Sequence, residues 1–190
     1  MRDLIIRGVH DELERDRFGY TVMLFLGNGK LTRALIEDVG SRGFYGDAAQ
    51  DRSLEIEDLT VRRAHEGVAL AMPGSFARVR VEEAEEGVNV SHGLNSFTDL
   101  EVIGGGTALV LTGKAVTQVA RFRLTGARDA GVAIRPQVSF GGNADLDLSL
   151  GVVERSAVCI QIGVAGFDVG RLINGVALRE CGQPITVMTP

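Results

Sequence analysis

The sequence predicts an all-β protein in which short parallel strands wind into a solenoid. Three observations support this fold class: a short motif recurs along the chain, its apolar residues alternate with a period of two, and glycine is in excess. Glycine supplies 25 of the 190 residues and proline only 4. Such an excess without low complexity is typical of tight turns between short strands. Because one short unit cannot bury an apolar face alone, stacked copies are expected to form the core.

The repeating unit is clearest in LEIEDLTVRRAHEGVALA, residues 54–71. Apolar residues alternate there in three short runs, which begin at Leu54, Leu59 and Val68. A spacing of two and many β-branched residues indicate strands rather than helices. Each unit is therefore expected to contain three strands separated by two bends.

Two strands of this unit recur downstream, and together they set the predicted number of coils. The strand that follows a corner recurs at intervals of 18 to 26 residues, so the chain is predicted to form about 8 coils of roughly that length. Its copies are GVALA (67–71), GVNVS (87–91), TALVL (107–111), GVAIR (131–135), AVCIQ (157–161) and GVALR (175–179). The upstream strand recurs as LEIED (54–58), ARVRVE (77–82), DLEVI (99–103), ARFRL (120–124) and DLDLSL (145–150). Residues 9–18 break the pattern and are expected to form a loop or one helical turn.

The order strand, bend, strand, short turn with glycine, strand and variable loop resembles the right-handed parallel β-helix of the pectate-lyase-like superfamily. The resemblance covers about residues 3–187 and is one of pattern, because no catalytic signature accompanies it. It implies a right-handed, single-stranded parallel β-helix. Segments such as LTRALIEDVGSRGF (31–44) are similar to β-helix segments of large secreted or surface-anchored bacterial proteins. That similarity implies an extracellular or cell-surface location, although a cytoplasmic one stays open.

Length and charge limit the other function classes. At 190 residues the chain is expected to be a single domain, 1–190, and a fragment of, or similar to part of, a larger solenoid. A net charge of −5 without a basic tract argues against nucleic acid as a partner. No apolar run approaches 18 residues, so no membrane span is predicted.

The two cysteines are predicted to be unpaired. Cys159 lies two residues after its corner and Cys181 six residues after the corner at 175. In register they would be about four residues apart, roughly 13 Å at ~3.3 Å per residue. A disulfide needs Cα atoms within about 7 Å.

Outward positions of the upstream strand predict a ladder of charges whose sign alternates from coil to coil. Parallel strands ~4.8 Å apart would place each arginine between two carboxylates, which makes the ladder a structural feature of the register. Its two columns are Glu55, Arg80, Glu101, Arg123 and Asp147, and Ser53, Arg78, Asp99, Arg121 and Asp145.

The same ladder supplies the only catalytic candidates. A polysaccharide lyase needs clustered carboxylates for calcium and an arginine or lysine to abstract a proton. The residues of those types are Asp99, Glu101, Arg121, Arg123, Asp145 and Asp147. The acidic pairs are expected to lie two coils, near 10 Å, apart, whereas calcium ligands lie at about 2.3–2.6 Å from one ion. A structural ladder is therefore favoured, and Ca²⁺ is expected only if the chain is an enzyme.

Other chemistries have weaker signals. His92 stands in Ser-His-Gly without the Asp pair and Arg-x-Lys of the hydrolases in the resembled superfamily. His10 and His65 are also isolated, so neither a metal site nor a cofactor is predicted. The chain has no tryptophan and two tyrosines, which weakens a sugar-binding interpretation that rests on aromatic platforms.

The outward side of the corner strand is predicted to be small and apolar, with an interface or a cover of the chain's own loops as its alternatives. The residues expected to face outward there include Ala69, Ala133, Cys159 and Ala177, and those proposed to bind are Tyr45, Asn89, Leu109, Leu111, Arg135, Gln161 and Arg179.

Two functions remain open. The first is a non-catalytic scaffold or binding module with a structural, adhesion or assembly role, whose partners are a carbohydrate or a second copy of the chain. The second is a polysaccharide-processing lyase, epimerase or hydrolase with its cleft on the face of the first strand. Fold alone does not decide between them.

Overall fold

The computed structural model is an all-β parallel solenoid of about six turns, as the repeat predicts, where about eight coils were expected. It describes residues 1–9, 21–25, 28–47, 52–136, 144–165, 167–172 and 175–187. The predicted loop at residues 9–18 lies outside this part of the chain, apart from Val9 at the end of the first strand. The right-handed sense of the coil stays a prediction.

Two parallel sheets form the solenoid. The first is built from β1 (Arg2–Val9), β3 (Gly29–Val39), β5 (Leu54–Arg62), β7 (Gly74–Glu82), β9 (Leu94–Ile103), β11 (Val116–Thr125), β13 (Asp145–Ser149), β14 (Gly151–Glu154) and β16 (Val176–Arg179). The second is built from β2 (Thr21–Phe25), β4 (Arg42–Asp47), β6 (Glu66–Ala71), β8 (Glu86–Val90), β10 (Thr107–Leu111), β12 (Ala130–Ile134), β15 (Val158–Ile162) and β17 (Gln183–Val187). Each strand pairs with the equivalent strand one turn away.

The long strands β5, β7, β9 and β11 of the first sheet each bend at one residue with left-handed backbone, so the coils that they belong to have three faces. Face 1 is the part of the first sheet before this bend, residues 54–57 in β5, and face 2 is the part after it, residues 59–62. Face 3 is the second sheet. A second left-handed residue, Arg63 with φ of +51° in this coil, ends face 2. The two expected bends are therefore confirmed and lie at Asp58 and Arg63.

The core runs along the axis as stacked columns of apolar side chains. In the register of β5, β7 and β9, the inward residues of face 2 form columns such as Leu59, Val79 and Leu100, all buried. On face 1, the rings of Phe76 and Phe97 stack with centroids 4.7 Å apart. Like residues thus meet like residues in neighbouring coils, which keeps the register of a parallel sheet.

Small residues make the sharp corner between faces 2 and 3 fit. Gly43, Gly67, Gly87 and Gly131 occupy one column at the start of the face 3 strands. A Cβ atom on Gly67 would lie 2.5 Å from both Gly87 O and Val81 Cγ1. At Gly67 the backbone of the next face 3 strand and the Val81 side chain of face 2 leave no room for a Cβ atom.

The cysteine prediction is wrong, because Cys159 and Cys181 form a disulfide with their Cα atoms 5.6 Å apart. The error arose from GVALR (175–179), which was aligned with the face 3 strands. Its strand, β16, pairs with β14 in the first sheet, and the strand that stacks on β15 is β17. Cys181 therefore lies just before β17, one turn after Cys159, instead of four residues further along a strand.

One helical turn, α1 (Val169–Leu172), interrupts the last described coil. It contacts β13, so it lies beside the last strand of face 1, and Leu172 is fully buried. No helix in the described ranges is long and apolar enough to cross a membrane.

Candidate functional site

The charge ladder exists, and its central part lies at the first corner of the coil. Arg78, Asp99 and Arg121 are in register, as predicted. All three also have left-handed backbone. Arg121 donates from Nε to Asp99 Oδ1 at 2.7 Å and from Nη2 to Asp99 Oδ2 at 3.0 Å. The full column, which we call the corner ladder, is Asp3, Arg33, Asp58, Arg78, Asp99, Arg121 and Leu150.

Both ends of the predicted ladder are wrong. Ser53, Glu55, Asp145 and Asp147 lie on the face 1 side of the corner, because LEIED and DLDLSL end at the corner residue whereas the other three copies begin at it or one residue before it. Glu55 is paired with Lys30 on that face. The structure puts Asp58 and Leu150 into the corner ladder in place of Ser53 and Asp145.

A second column of the ladder lies on face 2 and is confirmed at Arg80, Glu101 and Arg123, which are in register. Arg80 contacts Glu101, and Arg123 donates from Nη2 to Glu154 at 2.7 Å. Neighbouring pairs extend the ladder into a network on face 2 that runs Arg7, Glu37, Arg62, Glu82, Arg80 and Glu101. Glu55, Asp145 and Asp147 have no place in this network.

The protonation behaviour of the corner ladder is that of structural ion pairs. Hydrogen bonding to Arg121 holds the pKa of Asp99 below its ordinary range, and the same contact raises the pKa of Arg121. A general base must be deprotonated at the working pH, so that it can accept a proton from the substrate. A guanidinium whose pKa is raised by a carboxylate holds its proton more firmly, so this arrangement opposes the role that a lyase would need.

The catalytic candidates are not brought to one place. Asp99 and Arg121 lie at the corner, Glu101 and Arg123 on face 2, and Asp145 and Asp147 on face 1. Among the side chains that the structure describes, no three His, Cys, Asp or Glu residues come close enough to share a metal ion.

The predicted binding strip on face 3 is corrected at three positions. Leu109 and Leu111 point into the core with no exposed surface, because TALVL is shifted by one residue: Leu109 aligns with Val88. The corner position that Gly87 occupies one turn earlier is held by Ala108, so TALVL begins one residue before the corner. Arg179 is in β16 and so lies on face 2.

The centre of the remaining strip is closed to solvent. Outward Val110 and Ala133 are 1% and 0% exposed. Arg135 crosses two coils to contact Glu86 Oε1 at 2.5 Å, and Glu86 also accepts a hydrogen bond from Asn89 Nδ2 at 2.8 Å. Gln161, in register with Ala133, is half-buried. The two expected alternatives, an interface and a cover of the chain's own loops, both stay predictions.

At the other end of face 3, Tyr45 is held by its neighbours. The guanidinium carbon of Arg42 lies 4.9 Å from the ring centroid, and the Tyr45 hydroxyl donates to Asp47 at 3.1 Å. Burial, and then the charge of Asp47, raise the pKa of Tyr45. Cys159 and Ala177, also expected to face outward, lie in the disulfide and on face 2 respectively.

The concave surface that sequence reasoning missed lies along face 1. Two adjoining cavities of about 510 Å³ and 260 Å³ share Leu94 and form one groove. It crosses five coils, roughly 19 Å at ~4.8 Å per interval. Its lining residues are Asn28, Gly29, Lys30, Ser53, Leu54, Glu55, Pro73, Gly74, Ser75, Leu94, Asn95, Ser96, Val116 and Gln118. We call this the face 1 groove.

The face 1 groove combines apolar and hydroxyl or amide groups. Leu94 and Val116, neighbours in register, are 68% and 38% exposed. Beneath them, Asn95 and Thr117 are buried, and neither Asn95 Oδ1 nor Thr117 Oγ1 has a partner among the described groups. One signal in the sequence could have revealed the groove. Leu94 and Val116 are apolar, although the alternation along each strand places them at outward positions.

No protein-family model matches the chain, and no curated protein or solved structure is significantly similar to it. The predicted resemblance is therefore confirmed as far as the parallel β-solenoid fold.

Proposed function

We propose that the chain is a non-catalytic β-solenoid module that binds a carbohydrate polymer along the face 1 groove. The observation that carries this proposal is the contrast between two faces of one sheet. In the central coils the outward side chains of face 2, such as Arg80, Glu82 and Glu101, form ion pairs, whereas those of face 1 are uncharged: Ser75, Ala77, Ser96, Thr98, Gln118 and Ala120.

Faces 1 and 2 differ in the free energy that a partner would need to remove water from them. A partner that covered face 2 would have to strip water from charged groups, which is expensive even when they are paired. A partner on face 1 would meet hydroxyl, amide and apolar groups, with one ion pair, Lys30 and Glu55, at one end of the groove; this is the mixture typical of small-molecule and sugar sites. An elongated groove fits a polymer better than a compact ligand.

We further propose an extracellular or cell-surface location, as in the pectate-lyase-like proteins that the repeat resembles. The Cys159–Cys181 disulfide supports it, because disulfides form and persist mainly in oxidising compartments.

Affinity electrophoresis against neutral and uronic-acid polysaccharides tests the proposal. At least one polymer should retard the chain, and Ser96→Glu, which places a charge and added bulk in the groove, should weaken that binding by roughly tenfold or more, since a buried unpaired charge is costly. Thr60→Glu is the matched control, because Thr60 is an outward residue of the same sheet on face 2.

Three outcomes would overturn the proposal. Absence of retardation by every polymer, or equal loss in both variants, would remove the groove as the binding surface. Release of unsaturated sugar products would instead show the lyase. Dissociation of an oligomer by Ser96→Glu alone, seen by sedimentation velocity, would show that face 1 binds a second copy.

A further inference from the structure

The Cys159–Cys181 disulfide joins one turn of the solenoid to the next. Its residues are 22 apart in sequence, so the bond closes a single coil into a covalent ring. Cys159 occupies the corner column that Gly131 occupies one turn earlier, and it is fully buried. Cys181 lies between β16 and β17 and is only partly buried. One end of the bond is thus anchored in the core and the other lies near solvent.

The coil that carries Cys181 is poorly buried. All four described side chains of β16 and all five of β17 are half-buried or exposed, whereas every residue of β10 and β12 is buried. Val187 is 57% exposed. Val176, Leu178 and Ile185 pack against the core, but only as partly buried side chains. Segments with few buried apolar groups open at low free energy, so core packing holds this coil only weakly.

The noncovalent ties of this coil are mainly backbone hydrogen bonds to the turn before it. Gly182 N donates to Ser156 O at 3.0 Å and Gln183 N donates to Ala157 O at 2.9 Å. Strand pairing of β16 with β14 and of β17 with β15 adds further backbone bonds, and a few partly buried side chains such as Leu178 and Ile185 contact the core. Bonds of this kind contribute about 1 kcal/mol net each and are easily exchanged for water at an exposed coil.

We infer that the disulfide is a redox-sensitive clasp: a dithiol reductant opens it and releases the coil of β16 and β17, while the coils through β15 stay folded. The reductant's thiolate attacks the more accessible Cys181 Sγ, Cys159 leaves as a thiolate and takes up a proton, and the second thiol of the reductant then displaces Cys181. The protein gains two electrons and two protons, and the reductant becomes a disulfide. This device does not depend on the function proposed above.

Release would expose the edges of β14 and β15, which the coil covers in the oxidised chain. An uncovered strand edge presents unpaired backbone groups that can pair with another strand. Cys159 would remain in the core as a thiol, an environment that suits a free cysteine.

Amide hydrogen exchange on the full chain, oxidised and then reduced with dithiothreitol, tests the clasp. Closing a loop of this length in the unfolded ensemble is a stabilisation equivalent to roughly a hundredfold in an equilibrium constant. Amides of Gly182, Gln183 and Ile185 should therefore exchange up to about a hundredfold faster after reduction. Amides of Glu86 and Thr107, bonded between interior coils, serve as the internal control and should not change.

A Cys159→Ala, Cys181→Ala double variant should show the reduced pattern without any reductant and should not respond to dithiothreitol. Unchanged exchange in both experiments would overturn the clasp, because the coil would then be held without the bond. Equal acceleration at Glu86 and Thr107 would also overturn it, because the bond would then support the whole solenoid.

Discussion

Left-handed backbone at residues that carry side chains shapes both corners of each coil. Among the described residues, twelve non-glycine positions have positive φ, and eleven of them are charged. This conformation costs an ordinary L-residue roughly 1–2 kcal/mol. The exception is Leu150, with φ of +55° and 72% of its surface exposed.

Replacing Leu150 should therefore stabilise the protein. Leu150→Gly removes the steric cost of the left-handed corner and loses little packing, so we expect a gain of up to about 1 kcal/mol in the free energy of unfolding by urea titration. Gly104→Ala is the matched opposite change: Gly104 has φ of +70° and open space around a Cβ, so only conformation is altered. It should destabilise by about 1 kcal/mol. Loss of stability in Leu150→Gly would contradict this account.

The corner ladder predicts a pH dependence with a definite sign. Because the pKa of Asp99 is lowered in the folded chain by Arg121, its ion pair stabilises the fold above the pKa of an unfolded aspartate, about 3.9, and the contribution is lost as the pH falls through the folded pKa. The stability difference between wild type and Asp99→Asn should be present at neutral pH and shrink on acidification below about pH 4. Urea midpoints across this range measure it.

The control for this titration is Arg121→Gln alone and combined with Asp99→Asn. In the Arg121→Gln background, the Asp99→Asn change should have a much smaller effect and little remaining pH dependence. A full effect in that background would show that Asp99 is stabilised by another group.

At the scale of strands, the small residue at the corner of faces 2 and 3 is a steric requirement. A Cβ on Gly131 would overlap Cγ1 of Val153 on face 2, and its φ is not in the left-handed region. Gly131→Ala should therefore cost about 1–3 kcal/mol, the usual effect of overpacking.

A double-mutant cycle with Val153→Ala tests this cause. If the two side chains collide, Gly131→Ala, Val153→Ala should be less destabilised than the sum of the single variants, with a coupling of about 0.5 kcal/mol or more. Additive losses in thermal or urea unfolding would contradict the steric explanation.

Strand existence was predictable from sequence, but strand assignment was only partly so. The unit at residues 54–71 has three alternating runs and two bends, and the structure confirms all of them. Faces 1 and 2, however, show the same alternation on either side of a corner residue, so LEIED and DLEVI look equivalent although they lie on different faces. The mistakes at Glu55, Asp145 and Asp147 follow from that ambiguity.

Two other errors concern the alignment of a strand with its neighbours. Ala108 takes the corner position that glycine holds in the preceding coils, so aligning Thr107 with Gly87 reversed the direction of Leu109 and Leu111, since strand side chains alternate. The helical turn α1 lengthened the route to β16, which hid the pairing of Cys181 with Cys159. The face 1 groove is a property of several coils at once, and no single stretch of sequence contains it.

At the scale of the whole molecule, the backbone and the charges of the corner ladder repeat with different periods. The backbone repeats after every coil, whereas the charges alternate in sign and repeat only after two coils. Removing one coil, residues 74–94, joins Pro73 to Asn95 in register but puts Asp58 beside Asp99. Removing two coils, residues 74–116, joins Pro73 to Thr117 and puts Asp58 beside Arg121.

Salt should therefore affect the two shortened chains in opposite directions. Added NaCl screens repulsion in the one-coil deletion and should raise its urea midpoint, whereas it screens attraction in the two-coil deletion and should lower it. The full-length chain should behave like the two-coil deletion. Responses of the same sign in both deletions would show that the ladder contributes little to register.

The ion pairs of face 2 would also affect the rate at which the proposed partner associates. Its opposite charges alternate at ~4.8 Å, well inside the Debye length of about 8 Å at physiological salt, so their fields largely cancel before they reach an approaching molecule. Only the small excess of −5 on the chain remains to act at long range. Encounters with the neutral face 1 groove should thus proceed without electrostatic steering, at the 10⁵–10⁶ M⁻¹ s⁻¹ or so typical of unsteered association. Residence time, rather than speed of capture, would then determine how tightly the proposed ligand is held.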